Sequence, residues 1–398
     1  ERTVDNMKKS TNSGCPYFRK RRLVTDQTVP YTIVNNDPNF VQVLPGGTWL
    51  SCAVLGWRGQ EGGPKPDDVK QRVVWMFPYA INAAELQVYQ PLIEAAQRAK
   101  LVPAWVSMEE VDQRITNMFD TTRPNDLIIC TDFTKFDQHF NRTCQDAAYI
   151  LLSDLFASNP DTNNWLHDVF PIKYNIPLMY DYEAMRFGPH GMASGSGGTN
   201  ADETLVHRAL QYEAAINANS RLNPNSQCLG DDGVLTFPGI SVDGVVSSYA
   251  SHGLDMNLDK QYVSKDDCIY LRRWHHRDYR VDGKCVGVYS TCRALGKLAE
   301  QERFFSQDVW NEKLEALRQL SIIENCAYHP AREDFVSYIL EGTKYKLGLE
   351  IPGFFNNLEH HVKEFEGLRG DILGYTRSEM SSNAGINDWW IVKYLKSK

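Results

Sequence analysis

The 398-residue sequence lacks the features of membrane-embedded and secreted proteins. It has no run of about 18 apolar residues, and no apolar segment near its amino terminus resembles a signal peptide. Its nine cysteines are odd in number and include no Cys-x-x-Cys pair, which argues against a disulfide framework and against a zinc site. Internal repeats and low-complexity tracts are also missing. We therefore expect no membrane partner and a reducing, cytosolic environment.

What is present is the composition of an ordinary globular protein, with 42% hydrophobic and 23% charged residues. The length exceeds what one hydrophobic core usually supports, so two or three subdomains are expected. The net charge of −8 argues at first against a nucleic-acid partner. However, residues 8–22, here called the basic segment, carry six cations and no acid, and residues 272–280 form a second cationic run. Such runs are either solvated surfaces or contacts to a polyanion.

Helical and strand patterns alternate irregularly along the chain. The first 80 residues are rich in glycine, proline and turn signals and favour strands and loops. This irregular mixture predicts an α+β core followed by a helical tail that begins near Arg293. The periodicities predict helices at 82–100, 147–157, from Gly198 onward and at 241–252, and strands at 127–130 and 268–274.

Two pairs of aspartates stand out for chemistry. Asp231 and Asp232 lie in the stretch CLGDDGVL, which predicts a hairpin turn between apolar strands. Asp132, which ends the apolar run LIIC, and Asp137 lie in TDFTKFDQHFN. Taken singly, Asp231 and Asp232 are explained as turn residues and Asp132 as a cap at the end of a strand. If the hairpin pairs beside the strand at 127–130, three carboxylates converge, and magnesium ions would neutralise them and promote phosphoryl transfer.

The third motif is HGMASGSGGTNADETL, at residues 190–205. Four of its glycines fall within residues 191–198, here called the glycine-rich loop, so its backbone amides could approach a ligand closely. Helix capping by Thr199 or Asn200, with Glu203 completing a capping box, explains part of the pattern. A helix start does not explain Ser194 and Gly195, which favours a binding role for the loop.

In this order, TDFTKFD, SGSGGT and LGDDG resemble motifs A, B and C of viral RNA-dependent RNA polymerases. TNSGCPYF at Thr11 resembles the template-entrance motif of that family, and KQRVVW at Lys70 resembles its basic nucleotide-binding motif. HGLDMNLDK, ending at Lys260, is similar to motif D, and YLRRW at Tyr270 to the primer grip. In detail the motifs look most like those of picobirnavirus polymerases, with partitiviruses nearby.

The resemblance implies the right-hand polymerase fold, an α+β architecture with an antiparallel palm sheet and a mainly helical thumb. Relatives carry a longer amino-terminal section that bridges fingers and thumb, which we expect this chain to lack. The implied boundaries are fingers at 1–80, palm at 81–158, a fingers insertion at 159–190, palm at 191–280 and thumb at 281–398.

The resemblance also assigns roles to individual residues. Asp132 and Asp231 would hold two Mg2+ ions with help from Asp232, and Mn2+ would be a substitute. Asp137 would bind the ribose 2′-hydroxyl, and Lys260 would protonate the pyrophosphate, although a solvated lysine explains Lys260 equally well. The implied nucleotide-binding residues are Lys65, Lys70, Arg72, Ser194, Gly195, Thr199 and Asn200, and the implied template and primer contacts are Asn12, Ser13, Gly14, Pro16, Arg272 and Arg273.

One departure from the family pattern concerns Glu203, which stands where motif B usually has the asparagine partner of Asp137. Thr199, Asn200 or Ser194 would have to serve instead, or the sugar is checked differently.

The function implied is magnesium-dependent, template-directed RNA synthesis for viral genome replication and transcription. The implied partners are RNA, nucleoside triphosphates and a capsid protein, inside a virion in the host cytoplasm. The alternatives are a reverse transcriptase and a catalytically inactive, polymerase-derived RNA-binding protein.

Overall fold

A computed structural model describes residues 2–60, 70–256, 261–301, 309–365 and 385–398, with the backbone alone at 59, 60, 70 and 71. The chain forms two compact units. The first comprises Glu1–Arg58, Gln71–Val102 and Thr121–Lys265, and the second comprises Gly59–Lys70, Pro103–Asp120 and Asp266–Lys398. The predicted division into fingers, palm and thumb stays a prediction, since these units follow different boundaries.

The first unit contains three small sheets. Their strands are β1 (Thr32–Asn36), β2 (Asn39–Leu44), β3 (Gly47–Leu50), β4 (Ala53–Gln60), β5 (Lys70–Met76), β6 (Ile128–Thr131), β7 (Leu178–Asp181), β8 (Ala184–Arg186), β9 (Gln227–Leu229), β10 (Asp232–Leu235) and β11 (Tyr262–Ser264). They assemble in the orders β1-β2-β3, β5-β4-β7-β8 and β11-β6-β10-β9.

Helices surround these sheets. In chain order they are α1 (Arg2–Asp5), α2 (Thr25–Thr28), α3 (Tyr79–Arg98), then, after α4 (Pro103–Val106) and α5 (Met108–Thr121) of the second unit, α6 (Phe136–His139), α7 (Arg142–Leu155), α8 (Pro160–Asp168), α9 (Ile172–Asn175), α10 (Thr199–Asn217) and α11 (Val242–Ala250). Among the described residues, no helix is both long and apolar enough to span a membrane.

The sheet β11-β6-β10-β9 is antiparallel throughout, as predicted. Strand β6 lies in its interior, and all four of its residues are buried, which explains the continuous apolar run in the sequence. Strands β9 and β10 pair through Asp232 and Leu229, so CLGDDGVL is the predicted hairpin.

Local capping explains where the helices begin. The predicted helix at 147–157 starts earlier, as α7, because the Asn141 side chain accepts hydrogen bonds from the amides of Thr143 and Cys144. Helix α11 begins after Ser241, whose hydroxyl accepts from the Gly244 amide.

The predicted cap of α10 is wrong. Gly198, not Thr199 or Asn200, is the N-cap residue, and it has no side chain with which to cap the helix. Glu203 is 5% exposed, and its carboxyl hydrogen-bonds to that of Asp137 instead.

The second unit combines short strands with helices. The strands are β12 (Asp267–Tyr270), β13 (Arg273–His276), β14 (Arg280–Val281), β15 (Lys284–Cys285) and β16 (Val288–Tyr289), and the helices that follow are α12 (Thr291–Ala299), α13 (Glu312–Asn325), α14 (Arg332–Gly342), α15 (Leu358–Glu364) and α16 (Trp390–Lys396). From Thr291 onward the described part of this unit is helices and turns, which confirms the helical tail. The predicted single strand at 268–274 is wrong, because Leu271 and Arg272 have positive φ and turn the chain into a β12–β13 hairpin.

A buried ion pair lies in the interior of the first unit. Lys173 Nζ and Asp202 Oδ2 are 3.0 Å apart, and both side chains are fully buried. Asp202 also accepts hydrogen bonds from the hydroxyls of Tyr89 and Tyr174, both at 2.7 Å. The carboxylate is thus fully paired, as a buried charge requires.

Replacing Lys173 by Met should lower the free energy of unfolding by about 3–5 kcal/mol, because it leaves the Asp202 charge buried without its cation. Denaturant unfolding measures this change. The matched control is Arg2→Met, which removes the surface pair with Glu94 and should cost less than about 1 kcal/mol. Equal losses in the two variants would contradict the prediction.

Candidate active site

The aspartates of the predicted catalytic group lie where the two central strands of the antiparallel sheet, β6 and β10, meet their connecting loops. We call this place the sheet edge. Strands β6 and β10 pair through Thr131 and Gly233. One residue beyond this pair in each strand are Asp132 and Asp232, so the two backbones bring these residues side by side. Asp132 and Asp231 are exposed, although the strands behind them are buried. The hairpin thus presents carboxylates to solvent from a rigid base.

Helix α10 fixes the tip of this hairpin from behind. Gly230 has a φ of +59°, a conformation that glycine adopts without strain. Its amide donates to Thr204 Oγ1 at 2.9 Å, and its carbonyl accepts from His207 Nδ1 at 2.8 Å. A Cβ at Gly233 would lie 2.6 Å from the His207 ring, so the helix and hairpin need glycine there to pack closely.

The imidazole of His207 is neutral in this setting. Full burial lowers the pKa of His207 to about 4, so near neutral pH Nδ1–H can donate to the Gly230 carbonyl while Nε2 carries no proton. The ring also packs against the aromatic side chains of Phe133, Phe136 and Tyr249. The histidine therefore links the segment after β6 to the turn before β10.

A group of charged side chains surrounds Asp137, which lies on α6. Burial raises the pKa of the Asp137 carboxyl, Asp231 raises it further, and a hydrogen bond from Glu203 and the charge of Arg72 lower it. Burial raises the pKa of Glu203 well above its usual range, and Asp137 and Asp231 add to the effect. Two carboxyl groups in hydrogen-bond contact require a proton between them. The structure thus brings motifs A, B and C and the basic motif to one place.

The glycine-rich loop is pressed against neighbouring backbone. A Cβ at Gly195 would overlap the carbonyl oxygen of Trp75 on β5, and one at Gly191 would lie 2.5 Å from the Asp137 carbonyl oxygen. Ser194 Oγ lies 3.5 Å from the Val73 carbonyl, and Thr199 Oγ1 donates to the Ala193 carbonyl at 3.3 Å. Asn200 is exposed next to Gly230. The predicted nucleotide contacts on this loop therefore lie between β5 and the catalytic hairpin.

The predicted template residues form a tight turn that packs against the first residue of α3. Gly14 has a φ of +61°, and its amide donates to Asn12 Oδ1 at 2.8 Å. The Ser13 carbonyl accepts from the Tyr79 amide at 2.8 Å, while the Ser13 side chain is buried. Ser13 and Gly14 thus shape the turn, whereas Asn12 is exposed and Pro16 half-buried.

The second cationic run lies in the second unit and has two kinds of arginine. Arg272 is exposed in the β12–β13 turn. Arg273 is 8% exposed, donates twice to Asn325 at 3.1 Å, and lies over the Tyr289 ring. Of the two predicted primer contacts, only Arg272 presents its charge to solvent.

The structure does not describe the side chains of three predicted residues. Lys65 and Lys260 lie outside the described residues, and Lys70 is described by its backbone alone. Within the ranges that the structure describes, no three carboxylate, histidine or cysteine side chains form a ready metal site.

Sequence reasoning missed Thr204 and His207. The available signal was their spacing: residues three apart on a predicted helix lie on the same helix face.

Comparison with known proteins places this geometry in context. A family model described as "Viral RNA-dependent RNA polymerase" matches residues 64–336. The "Potential RNA-dependent RNA polymerase" of Human picobirnavirus (strain Human/Thailand/Hy005102/-) is 61% identical over 403 residues, covering 100% of this chain and 75% of the relative.

Solved structures give the same result. The crystal structure of the RNA-dependent RNA polymerase of a human picobirnavirus superposes with a TM-score of 0.91 at 60% identity, covering 100% of this chain and 75% of that one. A Sicinivirus RNA-dependent RNA polymerase shares only the fold, with a TM-score of 0.60 at 14% identity over 90% and 77% of the two chains. The predicted right-hand architecture is confirmed, and the comparisons favour neither a reverse transcriptase nor an inactive binding protein.

The stability of the first unit should depend on His207 below pH 6.5. The unfolded chain protonates this imidazole near pH 6.5, whereas the folded chain does so only near a pKa of about 4. The free energy of unfolding should therefore fall by roughly 3 kcal/mol as pH drops through this range. His207→Phe should remove this decline in denaturant unfolding at several pH values, whereas His167→Gln, at a largely exposed side chain, should leave it unchanged. Identical curves for His207→Phe and the parent would contradict the assignment.

Proposed function

The chain belongs to the viral RNA-dependent RNA polymerases and is a nucleotidyltransferase, and we propose that it replicates and transcribes a viral RNA genome by two-metal nucleotidyl transfer. In this reaction the 3′-hydroxyl oxygen of the growing RNA forms a bond to the α-phosphorus of a nucleoside triphosphate. The bond from that phosphorus to the bridging oxygen breaks, pyrophosphate leaves, and the hydroxyl proton passes to water. One observation carries the proposal: the register of β6 with β10 places Asp132 next to Asp232.

The charges at this edge fit divalent cations. Asp231 raises the pKa of both Asp137 and Glu203, which shows that negative charge accumulates here. The donors are carboxylate oxygens, the ligands that Mg2+ prefers and that Mn2+ also accepts. We assign the two ions to Asp132 and Asp231, with Asp232 assisting. When bound, they would lower the pKa of the attacking hydroxyl and stabilise the leaving oxygen.

The remaining side chains bind and orient the nucleotide. Arg72 is exposed on β5 and close enough to Asp137 to lower the pKa of that carboxyl, so its guanidinium can reach a triphosphate bound beside the hairpin. Lys65 and Lys70 are proposed to add positive charge, and Lys260 to protonate the pyrophosphate. The loop residues Ser194 and Gly195, which lie against β5, are also proposed to contact the nucleotide.

Glu203 is the proposed partner of Asp137 in recognising the ribose. It occupies the position where the family usually has asparagine, and its carboxyl hydrogen-bonds to that of Asp137. A protonated carboxyl donates one hydrogen bond, as an amide would. The Asp137 carboxylate is thereby oriented and can accept a hydrogen bond from a 2′-hydroxyl.

The remaining partners follow from the polymerase assignment. Template RNA is proposed to contact the basic segment and Asn12, and primer RNA to contact Arg272. Backbone contacts of this kind are independent of base sequence, as copying requires. A capsid protein and a site of action inside a virion in the host cytoplasm complete the proposal.

Replacing Asp231 by Ala should reduce magnesium-dependent, RNA-templated nucleotide incorporation by at least about a thousandfold, because a metal ligand is lost. Asp161→Ala, at an exposed acid on α8, is the matched control and should retain the parent rate. Primer extension with purified proteins gives both rates. Comparable activity in Asp231→Ala and the parent would sink the mechanism.

Replacing Asp137 by Ala should lower the preference for ribo- over deoxyribonucleotides about tenfold or more, since the hydroxyl loses its half-buried acceptor. Glu203→Gln should keep most of the preference, because the amide still donates to Asp137, whereas Glu203→Leu should lower it. The ratio of kcat/KM for the two nucleotide types measures the effect. Asp243→Ala, an exposed acid on α11, controls for the lost charge. An unchanged ratio in Asp137→Ala would exclude this role.

A further inference from the structure

A chain of hydrogen bonds, separate from the catalytic carboxylates, joins the basic segment to the glycine-rich loop. Arg21 Nη2 donates to Asn82 Oδ1 at 2.6 Å. The amide nitrogen of Asn82 donates to the Gly195 carbonyl and to Glu85 Oε2, both at 3.2 Å. Asn82 is buried on the first turn of α3. Its side chain is therefore the contact point between an arginine of one functional segment and the backbone of the other.

Glu85 continues this connection into the loop. Its Oε1 accepts from the Ser196 hydroxyl at 2.5 Å, and its Oε2 accepts from the Gly197 amide at 2.8 Å. Ser196 Oγ in turn accepts from the Gly198 amide at 3.0 Å. The buried carboxylate thus holds Ser196 and Gly197 directly, and Gly198 through the Ser196 hydroxyl.

The loop lies flush against α3 along this stretch. A Cβ at Gly197 would lie 3.0 Å from Leu86 Cγ, and one at Gly198 would overlap the Tyr89 ring. Because Gly197 and Gly198 have no side chains, their backbone is positioned by the atoms of α3 directly. A change in the Asn82 or Glu85 contacts would therefore displace the loop backbone.

Packing alone does not explain a carboxylate at position 85. Glu85 is fully buried, and burial raises its pKa, which shows that the charged form is costly there. The nearby ammonium of Lys173 lowers this pKa, but it lies at hydrogen-bond distance from Asp202, Tyr89 and the Phe170 carbonyl. An apolar side chain would fill the space without this cost. What it could not do is accept hydrogen bonds from Ser196, Gly197 and Asn82.

We propose that Asn82 and Glu85 are positioning residues that hold the glycine-rich loop for the incoming nucleotide and couple its position to the basic segment through Arg21. The inference rests on the proposed nucleotide contacts of Ser194 and Gly195 and on the proposed template contact of the basic segment. Template binding at the basic segment would then favour the loop position that binds nucleotide.

The first test separates nucleotide binding from turnover. In steady-state primer extension, Glu85→Ala should raise KM for the nucleoside triphosphate about tenfold, as expected for the loss of hydrogen bonds to a charged group, with kcat changed less than KM. Glu85→Gln should restore most of KM, because its oxygen still accepts from Gly197 and its amide donates to Ser196. Asp112→Asn is the matched control, a buried carboxylate of the second unit bonded to His275 and Gly287, and should leave KM unchanged.

If Glu85→Ala does not fold, Ser196→Ala gives the same information, since it removes a loop donor and leaves the buried carboxyl in place. A KM equal to that of the parent in these loop variants would overturn the inference. So would a fall in kcat alone. If Asp231→Ala lacks activity while Glu85→Ala matches the parent, this inference fails and the proposed function stands.

The second test addresses the coupling to template RNA. Arg21→Met and Asn82→Ala should each raise the nucleotide KM, and the double variant should equal Asn82→Ala alone, because both substitutions break one pathway. KM is measured at saturating template, so weaker RNA binding does not enter. Additive effects of the two substitutions would show independent action and would reject the coupling.

Discussion

Helix α10 must satisfy several buried polar groups at once, and the arrangement of the first unit depends on how it does so. Over one and a half turns its side chains face three directions. Asp202 pairs with Lys173 in the interior, Glu203 contacts Asp137, and Thr204 and His207 hold the Gly230 turn. An unpaired polar group at any of these places would cost free energy, so the helix cannot shift without disturbing the others. The position of the aspartates at the sheet edge therefore follows from the helix beside them.

The elements that carry the proposed site could be predicted from the sequence because each has a local pattern. Strand β6, the hairpin at Gly230 and the start of α10 are each encoded by short, local patterns: an apolar run, a Gly-Asp-Asp turn and a glycine-rich loop before a helix. The prediction that these elements converge in space rested on the family resemblance. The register of β6 with β10 agrees with that prediction.

The failed predictions share a physical cause. The capping box at Glu203 was reasonable locally, but a tertiary contact with Asp137 takes the side chain away from the helix end. The strand at 268–274 looked continuous because residues with positive φ other than glycine carry no clear sequence signal. Arg273 belonged to a cationic run, yet its guanidinium is buried against Asn325. In two cases a contact with a residue distant in sequence overrode the local pattern, and in the third an unusual backbone conformation did so.

Shared protons and local charge remove the apparent conflict between an acidic chain and an RNA substrate. The formal charge of −8 counts every carboxyl as ionised. The contact between Glu203 and Asp137 requires a shared proton, so the count overstates the negative charge inside the first unit. The exposed carboxylates at the hairpin are the ones that cations would neutralise, while the basic segment itself contains six cations and no acidic residue. An RNA strand interacts with the charges near it rather than with the net charge of the whole chain. Where the template is proposed to lie, the local charge is positive and therefore favourable.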